Sequence, residues 1–323
     1  MNDKITYLPH IKRRLQRLAE EVETLMKKEL YYEALENINH LVEQQFTTDK
    51  LHIYHLHCLH QLNEWNELEQ VSESLINEKT NEVKPEYYLF YIISLFHQEQ
   101  YELLIEMFDD VIRGKKIPEN LSSEIKNFYQ QSKQLVHEQA KSIAEQLQQA
   151  IITRNDHKQW QLFHQWKKLN IDPPPLFYFM LEHKDVNPFV KTYIIHALLE
   201  CENDDKVIIE KEGQSNTIDL QTLPPLIEHP VYQQTKKYIE EIEQDNPTLH
   251  VLVLKLLQRF VENIYPFIYD VDDAEFVSEA AIKLARQHLE GNEGKKLTEP
   301  SEVKHYIKEI ERSNEAYFHL LMT

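Results

Sequence analysis

Three stretches of the chain repeat one phrase: LYYEALENINHLVE (30–43), EWNELEQVSESLIN (64–77) and QYELLIEMFDDVIR (100–113). Each sets an aromatic three residues ahead of a small or apolar residue and continues as an amphipathic helical stripe. Tyr31 and Trp65 are 34 residues apart, and Trp65 and Tyr101 are 36 apart; the two additional residues fall in EKTNEVKPE, the loop between units. Each phrase follows a second amphipathic segment that ends in a polar turn: LAEEVETLMKKE, YHLHCLHQLNE and YLFYIISLFHQEQ. A helix pair of this size cannot bury both its apolar faces alone. Stacked copies can share one core, so the period demands a helical array.

Particular residues fill that array. Leu18, Val22 and Leu25 supply the first helix's stripe, and Ile38, Leu41 and Val42 the second's. In the third unit the same roles fall to Tyr88, Ile92 and Leu95, then to Phe108, Val111 and Ile112. Ala34 is expected where two helices approach closely. Residues 15–115 thus resemble three tetratricopeptide repeats, whose second helix opens with an aromatic followed by a small residue, as Tyr31 and Ala34 do. Leu68 and Leu104 enlarge that small position. Val22, Leu56 and Ile92 stand where the family has a first-helix glycine, and its terminal proline survives only as Pro85.

The resemblance implies a concave groove that binds another polypeptide. Its register puts Ala19 and Glu23, Ile53 and His57, and Leu89 and Ile93 on the inward side, and the expected partner-binding residues are Ile53, His57, Leu89 and Ile93. The Lys and Asn with which some family members clamp a C-terminal carboxylate are absent from these positions. An apolar or helical partner segment is therefore expected.

Beyond the repeats, LSSEIKNFYQQSKQLVHEQAKSIAEQLQQAIIT (about 120–153) reads as one long capping helix. Short helices follow at 157–169, 174–183 and 187–200, the last resembling a HEAT-type helix with its Asn-Pro start. KVIIEKEGQSNTIDLQTLPP (206–225) alternates β-branched residues around a glycine-centred turn and predicts a hairpin of strands at 206–211 and 215–220. A lone hairpin is marginal in water and must lean on helices or on a partner. Helices are expected again at 229–244, 247–266, 273–290 and 300–321.

Composition removes several functions. Only four glycines occur, Gly114, Gly213, Gly291 and Gly294, and they do not cluster as a phosphate cradle requires. The net charge of −19 repels nucleic acid and anionic membrane. No apolar stretch reaches the roughly 18 residues of a membrane span, and the N-terminus lacks a signal core. Two cysteines, Cys58 and Cys201, suit a reducing cytoplasm.

HIYHLHCLH is the richest chemical candidate. On a helix His57 and His60 share one face and His52 and His55 another, so one helix offers at most two of the three or four ligands zinc takes. The histidines are read as lining a repeat surface. Asp270, Asp272 and Asp273 lack a calcium loop's central glycine and closing glutamate and are read as a helix cap. The aromatic runs LFYFM (176–180) and IYPFIYD (264–270) are read as core.

The sequence therefore predicts an all-α helical-repeat solenoid, tetratricopeptide-like over 1–153 and HEAT-like over 154–323, with one inserted hairpin near 206–220. The expected function is a non-catalytic, cytoplasmic protein- or peptide-binding scaffold, with no cofactor and no metal. The alternatives are a tetratricopeptide-type receptor for a short signalling peptide and a metal-dependent enzyme using the segment His52 to His60.

Overall fold

A computed structural model describes residues 8–78, 83–109, 119–201, 205–290 and 300–321. The chain is an all-α helical-repeat protein carrying one β-hairpin. It divides into two compact units, 1–139 and 140–323, and the division falls within one long helix rather than at its end near 153.

The first unit contains α1 (Pro9–Lys27), α2 (Tyr31–Glu43), α3 (Asp49–Gln61), α4 (Trp65–Asn77), α5 (Pro85–His97), α6 (Tyr101–Met107) and the first part of α7 (Glu119–Ile152). Successive helices from α1 to α6 pack on one another, and α3 also meets α5. One turn recurs with the repeat. Glu29, Asn63 and Glu99 have φ of 57°, 58° and 59°, and each closes the first helix of its pair. The N–H groups of Leu30, Glu64 and Gln100 then donate back to the carbonyls of Leu25, Leu59 and Leu95 at 3.1, 2.9 and 2.9 Å. This left-handed cap satisfies carbonyls that a helix end would orphan. Arg154 ends α7 in the same way. No glycine occupies these positions, so each turn carries a steric cost of about 1 kcal/mol that its hydrogen bonds offset.

Ala34, Leu68 and Leu104 are fully buried, as are Val22, Leu56 and Ile92 on the partner helices. The repeated positions are thus the packing positions, whatever the size of the residue. Val42, expected in the core stripe, is 39% exposed because it lies one step round the helix from buried Leu41. Phe108 is buried; Val111 and Ile112 lie outside the described residues.

The second unit contains the end of α7, α8 (Asp156–Lys168), α9 (Pro175–Glu182), α10 (Pro188–Glu200), α11 (Pro230–Asp245), α12 (Pro247–Ile264), α13 (Ala274–Glu290) and α14 (Ser301–Leu321). Asn187 and Asn246 each cap a helix that begins with proline, their Oδ1 atoms accepting from Phe189 and Leu249 N–H at 2.9 and 3.0 Å. α11 to α14 pack each on the next and the next but one, while α12 also meets α10 and α14 meets α8.

The hairpin joins β1 (Lys206–Lys211) to β2 (Gln214–Asp219), with Lys211 opposite Gln214. Glu212 and Gly213 form its two-residue loop at φ 53° and 77°, the left-handed pair that matches strand twist. It leans on its own chain. Val207, Ile209 and Lys211 point inward, and β1 packs on α9. The Lys211 ammonium donates to Thr192 Oγ1 at 2.5 Å and to the carbonyls of Asn263 and Glu262 at 3.1 and 3.4 Å, tying β1 to α10 and α12. Lys191 of α10 donates to the Glu210 carbonyl and, at 2.9 Å, to its carboxylate. Burial drives the Lys211 pKa well below its ordinary range, and nearby Lys191 adds to the effect.

Candidate protein-interaction surface

The four expected groove residues part company in the structure. Ile53 is half-buried against the apolar core, and half-buried His57 lies among the rings of Tyr31, His60 and Phe90, with centroids 5.6, 6.5 and 6.5 Å away. Leu89 and Ile93 are only 8% and 5% exposed. They are core residues, which corrects their reading as an open groove. The physical reason is that α5 is buried at every position from Tyr87 to Leu95, and Ile125 and Tyr129 of α7 join the same cluster. A helix that is apolar all round leaves no open face.

The recurrent aromatics have a different task. Tyr31 lies against His57, and Trp65 stacks on His97 with centroids 4.1 Å apart and planes 5° from parallel. The first residue of one unit's second helix therefore packs on the next unit's first helix, joining neighbours by ring contact. Burial lowers the pKa values of His52, His55, His57 and His60, that of His55 to about 4, so these imidazoles are neutral at pH 7. Among the described residues, no three His, Cys, Asp or Glu side chains converge as metal ligands.

An exposed apolar surface lies in the second unit. A cleft of about 690 Å³ runs between the end of α7 and α9, lined by Ile151, Ile152, Leu176 and Phe179, with His183 and Asp185 at polar positions. Ile151 is buried, whereas Ile152 is 72% and Phe179 52% exposed. Asp185 pairs with Arg154 at 3.1 Å. Two large apolar side chains thus stand open to solvent beside one cleft. The run LFYFM conceals this when read as core throughout. Phe177 and Met180 are fully buried, while Phe179 faces out between them, as helical spacing requires.

No family model matches the chain, and no solved structure matches it. The chain is similar to the TPR repeat-containing protein YsoA of Bacillus subtilis strain 168, with 26% identity over 274 residues, covering 82% of this chain and 81% of the relative. The chain is related to the tetratricopeptide-repeat proteins. No described helix is long and apolar enough to cross a membrane.

Proposed function

We propose that this protein is a non-catalytic, cytoplasmic scaffold that binds an apolar or helical segment of another protein. The observation that carries this reading is the array of three helix pairs, closed by one recurrent turn, in a chain related to a tetratricopeptide-repeat protein. Such arrays hold surfaces in fixed register and supply no reactive group by themselves. Phe179 and Ile152 are the proposed anchors, because an amphipathic segment can bury both against Leu176 and Ile151. Ile53 and His57 are proposed as further contacts on the array, and the second half is proposed to be HEAT-like. The partner is neither nucleic acid nor membrane, as the charge of −19 favours.

The test is capture of partners from the source cell's lysate by the parent and by Phe179→Asp. A discrete partner is expected to be retained by the parent and lost by the variant, with melting temperature unchanged because Phe179 is exposed. Equal capture by both would remove the α7–α9 cleft from the reading.

A further inference from the structure

A second cleft, of about 530 Å³, lies between α10, the 3-10 turn at Leu226–Glu228, α11 and α12. Its walls include Leu199, Leu226 and Tyr232, and Ile227 on its lining is 67% exposed. Glu262 lines the same cleft, although it is only 8% exposed. Its Oε1 accepts from Gln258 Nε2 at 2.8 Å, and among the described residues it forms no ion pair. The two cations whose charge acts on it, Arg259 and Lys211, place their hydrogen bonds on groups other than its carboxylate. Lys211 donates to Thr192 and to two backbone carbonyls; Arg259 donates to Asn314 and lies over the rings of Tyr317 and Phe318.

A buried acid without a counter-ion is costly unless something supplies one. Also lining this cleft is His196, whose Nε2 is buried without a hydrogen-bond partner. Burial lowers the His196 pKa, so its ring is neutral at pH 7 and one nitrogen can accept. Burial likewise raises the Glu262 pKa against the opposing influence of Gln258, Arg259 and Lys211, an effect that a bound cation would reverse.

We propose that this cleft binds a guanidinium or ammonium group carried on an alkyl stem, with Glu262 as counter-ion, His196 as second acceptor and Leu199, Leu226 and Tyr232 against the stem. The volume suits one such group, within the range of small-ligand sites. The same chemistry is presented by a free diamine or guanidine and by an arginine or lysine side chain of a polypeptide. This site is separate from the α7–α9 cleft and does not depend on it.

The experiment is titration calorimetry of the full chain at pH 7 with agmatine, with an alanine-flanked arginine peptide blocked at both ends, and with pentanol and pentanoate as controls. Saturable binding is expected for the two cations and not for the controls. Glu262→Gln is expected to weaken it by about tenfold or more, corresponding to about 1.4 kcal/mol. Ile227→Lys, an exposed change that places a competing cation beside the cleft, is expected to weaken it as well, and it decides the matter should Glu262→Gln fail to fold. Agmatine binding as tightly as the peptide identifies a small free cation; a peptide about tenfold tighter identifies a polypeptide side chain. The proposal is overturned if neither cation saturates, if pentanoate binds equally, or if Ile227→Lys changes nothing.

Discussion

Both units turn buried hydroxyls back onto their own helices, but the second also buries a charged side chain between elements. In the first, the fully buried Ser72 and Ser94 turn their hydroxyls back onto Leu68 and Tyr91 carbonyls of their own helices, and the buried contacts between helices are made mainly by Leu, Ile and rings. In the second, Lys211, Thr192 and the Glu262 carbonyl join a strand to two helices through buried hydrogen bonds. Repetition explains the contrast. Repeated units pack with equivalent apolar faces each time, whereas joining a hairpin to unlike helices leaves backbone groups that need dedicated partners.

The largest effect should come from breaking the second pattern. Lys211→Ala removes the donor to Thr192 and to the Asn263 carbonyl and opens a void, and should cost about 3–5 kcal/mol, read as faster hydrogen exchange across β1 and β2. Lys211→Met keeps the volume and buries no charge, so its loss should be smaller. Equal losses would show that the lost hydrogen bonds carry the whole cost and the void adds nothing.

The first unit should respond to acid. His55 is 6% exposed, its Nε2 has no partner, and its folded pKa is about 4 against an ordinary 6.5. Below pH 6.5 the unfolded chain takes up the proton first. The stability is therefore complete above 6.5 and is lost progressively as pH falls through about 4, on the order of 3 kcal/mol. Urea unfolding of the parent and His55→Leu at pH 7 and pH 4 should show the dependence shrinking in the variant. An unchanged dependence would assign it to other groups.

Smaller effects test the repeat itself. Ala34→Trp forces a large ring into a fully buried site and should cost about 1–3 kcal/mol or more; an unchanged melting temperature would contradict the packing role of that position. Glu99→Gly should stabilise by up to about 1 kcal/mol, since glycine takes φ near 59° without strain. A loss of stability there would mean that the Glu99 side chain outweighs the relief.

These contrasts also explain what could be read in advance. Local patterns located the paired helices, the Asn-Pro start at 187 and the hairpin. Leu89 and Ile93 were misplaced because a repeat register assigns them to an inward face, while Ile125 and Tyr129 in their cluster come from a helix beyond the repeat. The inward place of Lys211 beside Val207 and Ile209 was not read in advance, because its acceptors on α10 and α12 lie far away in sequence. Phe179 was hidden by its apolar neighbours, and the acid of the second cleft by the many exposed ones.

The central claim is that the α7–α9 cleft receives another protein. The most direct measurement places a photo-crosslinking benzoylphenylalanine at position 179 in the source cell, and in a separate strain at the exposed Tyr32 of the first unit. Irradiation should give a discrete adduct at 179, containing one partner polypeptide, that is absent at 32. No adduct at 179, or the same pattern at both positions, would contradict the claim.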